Sequence, residues 1–404
     1  MDKSMNYDMD RKSWMVWMMA IVLTAGISVA QTAPTTVLFH SRLGEEQPAD
    51  LLMEGGVKAS YSNGGLLLQG NEGRVRLDRY YSLGQRTARW LVRFSDDAVM
   101  DFCTDTHDVV LRVNVPQHQL SVECNPRRWT SVEWLNADDD VLVELQCTYG
   151  TNRAVLTNMR TGQQAMIEVT SDGQGGSYAG AIHEGFLVGG MWDYYCMQPQ
   201  QGSMLVQQMA VVAGACNLLV LIYGDSITEP EYYYPREELP NAWTQLMLSR
   251  INGKAMTSAR GGCTIREVLL RIRQELPYVK AKYVMVTIGT NGGNTEENLC
   301  ELVEYIQSQG SIPILNNIPC NERNTQVETN RVIEKVRRKY GLNGCRFDVA
   351  TSLNRDGLEV DKSMMWFENL KDTSVGMDIY HHPNSKGSQM MFYQSLIDIP
   401  EIYE

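Results

Sequence analysis

The sequence predicts a two-part chain: an all-β sandwich followed by a three-layer α/β domain built on a parallel sheet. Two changes of rhythm predict it. From about 35 to 213, short β-prone runs with partial period-two alternation follow one another, bounded by Gly, Asn, Asp or Pro, and no long helical period interrupts them. From about 214 to 404, buried-type apolar runs alternate with segments of helical period, the pattern of βαβ units. A length of 404 residues is ample for this division, since domains run to roughly 150 residues. Hydrophobic residues at 43% and charged residues at 21% exclude a largely disordered, collagen-like or polytopic membrane chain.

In the first part, strands are expected at Gly73–Leu83, Ala88–Ser95, Asp108–Val115, Gln119–Cys124, Ser131–Leu135, Val141–Cys147 and Met204–Val212. Arg74, Arg76 and Asp78 alternate with Val75, Leu77 and Arg79, as on a sheet with one wet face. Such a run predicts a sandwich of jelly-roll or lectin-like type. Trp90, Trp129, Trp134 and Trp192 are either core residues or a platform for sugar rings.

In the second part, Leu218–Tyr223 is a continuous apolar run, as a strand buried on both faces requires. Further strands are expected at Lys254–Ser258, Tyr283–Ile288, Ile312–Ile318 and Arg346–Ala350. Helices are expected at Ala242–Ile251, Thr264–Val279, Glu296–Gln309, Thr325–Tyr340 and Ser385–Ile397. Gly310 and Gly341 stop two of them, and Arg337, Arg338 and Lys339 complement a helix C-terminus.

Ahead of both parts, Trp14–Ala30 carries no charge, follows Arg11-Lys12 and ends Ser28-Val29-Ala30. It reads as a secretory signal peptide over residues 1–30, with a mature chain from near Gln31 that is secreted or periplasmic. A single membrane anchor is the alternative, for which the stretch is short. Asp2, Asp8 and Asp10 offset Lys3, Arg11 and Lys12, and a start at Met5 or Met9 would restore a basic leader. The 36 Lys and Arg against 48 Asp and Glu give a net charge of −12, unsuited to nucleic acid, which needs clustered cations. The 9 cysteines are odd in number and lack any CxxC spacing, so zinc-ribbon and thioredoxin chemistry have no support. The 6 histidines form no metal-ligand motif, and neither a dinucleotide fingerprint nor a P-loop occurs, so no metal or cofactor is expected.

In open α/β sheets, ligands bind beyond the carboxyl ends of the strands. Gly224-Asp225-Ser226-Ile227-Thr228 follows the first parallel strand and would expose a serine hydroxyl on a tight turn, or simply cap a helix. Arg260-Gly261-Gly262 follows the second and allows a backbone N–H to face a ligand. Gly289-Thr290-Asn291 follows the third, where Asn291 offers an amide N–H or an Asx turn. Near the C-terminus Asp378-Ile379-Tyr380-His381-His382-Pro383-Asn384, with Gly387 beyond, brings a carboxylate close to histidine.

In this order the four blocks resemble the SGNH/GDSL hydrolases, over about 214–404. The resemblance implies a flavodoxin-like α/β/α fold and a serine esterase. Ser226 would be the nucleophile, and the Ser226 and Gly262 N–H groups with the Asn291 side chain would form the oxyanion hole. His382 would be the general base and Asp378 its orienting carboxylate. Two departures stand out. The family pattern is Asp-x-x-His-Pro, and here one extra residue intervenes, so His381 keeps the spacing from Asp378 while His382 keeps the His-Pro-Asn context. His382 is favoured, with His381 as the alternative base and Asp372 as an alternative carboxylate. Gly292 also stands where the family often has Asp.

A signal peptide, an acidic surface and an attached sandwich resemble secreted carbohydrate esterases that remove acetyl groups from polysaccharides. Tyr232, Tyr233 and Tyr234 either stack on sugar or form an ordinary loop. The expected partner is an acylated glycan or another small ester, with no nucleic acid and no membrane once the leader is cleaved. The alternatives are a lipid esterase, lysophospholipase or thioesterase on the same machinery, or a glycan-binding protein whose catalytic site has decayed.

Overall fold

A computed structural model describes residues 35–104, 110–123, 127–149, 151–170, 194–230, 236–251, 253–369, 371 and 376–404. The expected leader, Cys124, Trp192, Tyr232–Tyr234 and Asp372 lie outside the described residues.

Among the described residues, every strand pairing of the first part is antiparallel. Its strands are β1 (Thr36–Arg42), β2 (Leu51–Glu54), β3 (Lys58–Ser62), β4 (Gly65–Gln69), β5 (Arg74–Tyr80), β6 (Gln85–Phe94), β7 (Val99–Thr104) and β8 (Val110–Asn114). There follow β9 (Gln119–Val122), β10 (Arg128–Ser131), β11 (Val141–Thr148), β12 (Thr151–Asn158), β13 (Gln164–Thr170), β14 (Tyr194–Gln201) and β15 (Ser203–Ala213). One sheet runs β13–β12–β11–β6–β15–β4–β3, with β1 also on β15; the other runs β10–β9–β8–β7–β14–β5–β2. Along β6 every second residue from Arg86 to Phe94 is buried, the period-two signature of a one-sided sheet. The inner faces pack together: Trp90 of one sheet meets Phe102 and Tyr195 of the other at ring distances of 5.0 and 6.1 Å.

Trp90 is therefore core, Trp134 packs against the core, and only Trp129 of the described tryptophans named above is largely exposed, so no tryptophan platform forms among them. The strand expected at Ser131–Leu135 is displaced. β10 ends at Ser131, and a turn follows in which Leu135 N–H donates to Val132 O at 2.9 Å. Val132 and Leu135 are both buried, so their apolar spacing reflects a turn folded onto the core rather than a strand.

The pattern changes between Ala213 and Leu218. β16 (Leu218–Gly224), β17 (Ala255–Ala259), β18 (Ala281–Thr287) and β19 (Ile312–Leu315) form a parallel sheet in the order β17–β16–β18–β19. The helices are α1 (Trp243–Ile251), α2 (Ile265–Val279), α3 (Glu296–Ser308), α4 (Gln326–Tyr340), α5 (Phe347–Thr351) and α6 (Ser385–Asp398). Alternate strand residues serve the two faces. Leu221, Tyr223, Val284 and Val286 share a core with α2, α3 and α4, whereas Val220, Ile222 and Met285 share one with α1, α5 and α6. Three layers result, as a parallel sheet buried on both sides requires.

The strand expected at Arg346–Ala350 is a correction. The chain does run beside β19, with Leu315 N–H donating to Asn343 O and Asn317 N–H to Cys345 O, but the pairing stops at the Asn317–Arg346 bridge. Phe347–Thr351 then turns into α5, with the Thr351 hydroxyl donating to Phe347 O. Phe347 is thereby placed edge-on against Trp243 of α1, at 4.9 Å. A two-stranded hairpin, β20 (Met365–Glu368) against β21 (Ile379–Pro383), was not foreseen. It carries half of the site.

Candidate active site

Three turns at the carboxyl end of the parallel sheet carry Ser226, Gly262 and Asn291. Gly224 ends β16 where a Cβ would meet Thr228 Oγ1 at 2.0 Å and Thr287 O at 2.7 Å, so only glycine fits before the serine turn. Asp225 Oδ1 accepts from Ile227 N–H at 3.0 Å, and Trp243 Nε1–H donates to Ile227 O at 2.9 Å. The turn is thus gripped from its own carboxylate and from α1.

The turns after β16 and β17 are locked together by Glu229. Its Oε1 accepts from Arg260 Nη1 at 2.8 Å and its Oε2 from Gly261 N–H at 2.6 Å, both side chains being buried. Gly261 N–H is therefore engaged, while Gly262, exposed and at φ +74°, presents the next N–H from a left-handed conformation that suits glycine. Asn291, beyond β18, donates from Nδ2 to Cys263 O at 3.0 Å. That bond uses one of two amide hydrogens and pins the third turn to the second. Ser226, Gly262 and Asn291 so lie on neighbouring turns tied by hydrogen bonds.

The hairpin supplies the rest. His382 Nε2 lies 2.7 Å from Ser226 Oγ, and His382 Nδ1 is hydrogen-bonded to Glu368 Oε1, which also accepts from His382 N–H at 3.2 Å. Ser226, His382 and Glu368 are 4%, 3% and 0% exposed. Ring-hydrogen placement follows from this geometry: with Nδ1–H donating to the carboxylate, Nε2 is left to accept from the serine hydroxyl.

The carboxylate on the histidine is thus Glu368 and not Asp378. Asp378 lies in the loop before β21, where its Oδ1 accepts from Lys371 N–H at 3.3 Å. Pairing of Glu368 with Ile379 across the hairpin brings the glutamate to the histidines, whereas Asp378 falls outside the paired strand. Of the two histidines, His382 faces Ser226. His381 lies with Nδ1 3.6 Å from Glu368 Oε2, its ring 4.2 Å from that of His382. The extra residue in the motif therefore adds a second imidazole to the same glutamate.

Burial would raise the pKa of Glu368, but His382 and His381 more than offset it and hold the carboxyl at about 2. His381 is pushed down by burial and by its neighbour His382, against the pull of Glu368. Asp225 goes the other way. Burial raises it to about 6 despite the Ile227 N–H, His381 and Arg271, and its Oδ2 has no hydrogen-bond partner among the described residues.

Glu368, His381 and His382 also present metal-type ligand atoms within 4.8 Å of one another. In the geometry described, both nitrogens of His382 are committed, to Glu368 and to Ser226, so an ion there would have to replace the relay.

No family model and no curated protein matches the chain. Solved structures that it is similar to include a catalytic mutant of Axe2, an acetylxylan esterase from Geobacillus stearothermophilus, at 15% identity and TM-score 0.35, over 46% of this chain and 94% of that one. A G-D-S-L family protein from Desulfitobacterium hafniense is similar at 18% identity and TM-score 0.33, over 44% of this chain and 96% of that one. Arcelin-5, a lectin-like defence protein from Phaseolus vulgaris, is similar at 10% identity and TM-score 0.32, over 45% of this chain and 98% of that one. In its parallel sheet, in the order of its four motifs and in the parallel-strand ends that carry the first three, the C-terminal part of this chain resembles the SGNH/GDSL hydrolases.

Proposed function

We propose that this protein is an exported serine esterase that removes O-acetyl groups from a polysaccharide or oligosaccharide. The observation that carries the reading is the continuous relay Ser226–His382–Glu368. In the proposed reaction Ser226 Oγ attacks the ester carbonyl as its proton passes to His382 Nε2. Glu368 steadies the imidazolium through Nδ1–H. The oxyanion is held by the N–H groups of Ser226 and Gly262 and by Asn291, donors worth about 3–4 kcal/mol each in measured oxyanion holes. His382 then protonates the departing sugar oxygen, and an acyl-Ser226 ester remains. Water, deprotonated by His382, attacks that ester and releases acetate, and the proton returns to Ser226.

A nearly buried nucleophile suits a short acyl group better than a long chain. The uncharged Trp14–Ala30 stretch and the attached sandwich support an extracellular glycan as the acyl carrier. The test is release of acetate from acetylated xylan, and of 4-nitrophenol from esters of increasing chain length, with Ser226→Ala alongside. Release that is greatest for acetyl and lost in Ser226→Ala is expected. Preference for long chains would replace the glycan reading by a lipid esterase. No release above the mutant would overturn the esterase.

A further inference from the structure

The sandwich reaches the catalytic turns directly. β17 is the edge of the parallel sheet, and its outward backbone groups are covered by the segment between β5 and β6 and by Tyr149 at the end of β11. Leu83 bridges Ser258 in antiparallel fashion, and Gly84 N–H donates to Thr257 O at 2.7 Å. Two residues on, Ala259 N–H donates to the Tyr149 hydroxyl at 2.9 Å. That hydroxyl is in turn within donor distance of the carbonyls of Ser82 and Ala259, each 3.2 Å away. Ala259 is the last residue before Arg260-Gly261-Gly262, and the Arg260 guanidinium sits 5.7 Å from the Tyr149 ring centre. Arg260 and Gly261 are the two residues that Glu229 ties to the serine turn.

We infer that Tyr149 of the β-sandwich is a positioning residue for the reaction: it anchors Ala259 and so fixes where the Gly262 N–H points relative to Ser226. The sandwich on this reading is part of the catalytic apparatus rather than an appended module. The mechanism is geometric. An oxyanion-hole donor acts only if it is held in place before charge develops, and small misplacements are expensive in rate. Without the hydroxyl, Ala259 N–H loses its partner at the exact end of the strand from which the oxyanion turn springs.

The inference rests on the serine-esterase reading, and the experiment separates the two. Tyr149→Phe keeps the ring and removes the hydroxyl. Tyr195→Phe is the control, since its hydroxyl accepts from Arg86 Nε at 3.0 Å inside the sandwich. Both are compared with the full-length wild type on 4-nitrophenyl acetate, with melting temperature and amide hydrogen exchange of the 259–263 segment. Tyr149→Phe is expected to lower kcat about tenfold with KM within twofold, and to speed exchange in 259–263. Tyr195→Phe is expected to shift the melting temperature without either effect. Equal kcat losses in the two variants, or unchanged exchange at 259–263 in Tyr149→Phe, would overturn the inference. A wild type that hydrolyses no ester would instead sink the esterase reading, and with it any part for Tyr149 in catalysis.

Discussion

Two buried carboxylates stand next to the candidate nucleophile, Asp225 as its chain neighbour and Glu368 through His382, and their surroundings push them in opposite directions. Glu368 has His382 hydrogen-bonded to Oε1 and His381 3.6 Å from Oε2, so its charge is favoured. Replacement by Gln would keep the shape but reverse the hydrogen-bond sense, leaving His382 in the wrong tautomer. By analogy with the same change in a serine-protease triad, Glu368→Gln should lower kcat by about 10⁴, while Asp378→Asn stays within about twofold of wild type; equal losses would return the role to Asp378. Stability follows with opposite signs. The folded pKa of Glu368 is depressed from 4.5 to about 2, so its contribution is present above pH 4.5 and is lost as pH falls toward 2. The folded pKa of Asp225 is raised from 3.8 to about 6, so the fold is favoured below pH 3.8 and loses that advantage as pH climbs through 6. Asp225→Asn should therefore gain melting temperature over wild type, by a few degrees, between about pH 4 and 7. A difference that is flat with pH in thermal melts would contradict the assignment. The pairing of Ser226 with His382 was legible because short local motifs carry both residues. Glu368 was not, because it reaches the histidines across a hairpin whose loop length nothing local specifies. The one cue was an acid closing the apolar run Met365-Trp366-Phe367.

That hairpin is held at its far end by the N-cap of α6. Asn384 Oδ1 accepts from Gly387 N–H at 3.1 Å, which satisfies the helix start, and its Nδ2 donates to Ser363 O and Met365 O at 3.1 and 3.2 Å. One side chain thus caps a helix and fastens the strand that ends in Glu368. Asn384→Ala should cost about 1 kcal/mol or more through the lost cap and lower kcat several-fold through a looser β20. Asn384→Asp separates the two effects, since the carboxylate still caps but cannot donate. Denaturant melts should recover in Asn384→Asp while kcat stays low, and recovery of both would show that the cap alone matters. At this scale the sequence spoke most clearly where elements are long and punctuated. α2 begins after Thr264, whose N–H donates to Glu267 Oε2 at 2.8 Å, and α4 ends at Gly341 in the left-handed conformation. It spoke least where partners are distant. Arg346–Ala350 has strand-like residues, yet Phe347 gains more by packing on Trp243 from a helix.

The two halves of the molecule share one core. Tyr81 and Leu83 of the sandwich belong to the same buried cluster as Ile265, Leu269 and Ile272 of α2. Polar links cross the same boundary: Tyr80 N–H donates to Gln274 Oε1 at 2.6 Å and Ser82 N–H to Glu275 Oε1 at 2.8 Å. Arg271 is wholly buried, donating to Gly224 O at 2.8 Å while its guanidinium stands 5.6 Å from the Tyr80 ring centre. Separating the halves would open this core, leave Tyr80 and Ser82 N–H without those acceptors and bare the edge of β17, whose unpaired groups would invite association with other chains. Interfaces of this kind couple unfolding, because neither side is stable with its face exposed. Calorimetry of the full chain should therefore show a single transition, and a fragment spanning 214–404 should aggregate or melt well below it. Two resolved transitions, with a soluble fragment that keeps the melting temperature of the second, would mean that the sandwich is an independent module, and Tyr149 would then have no firm base from which to hold the catalytic turn.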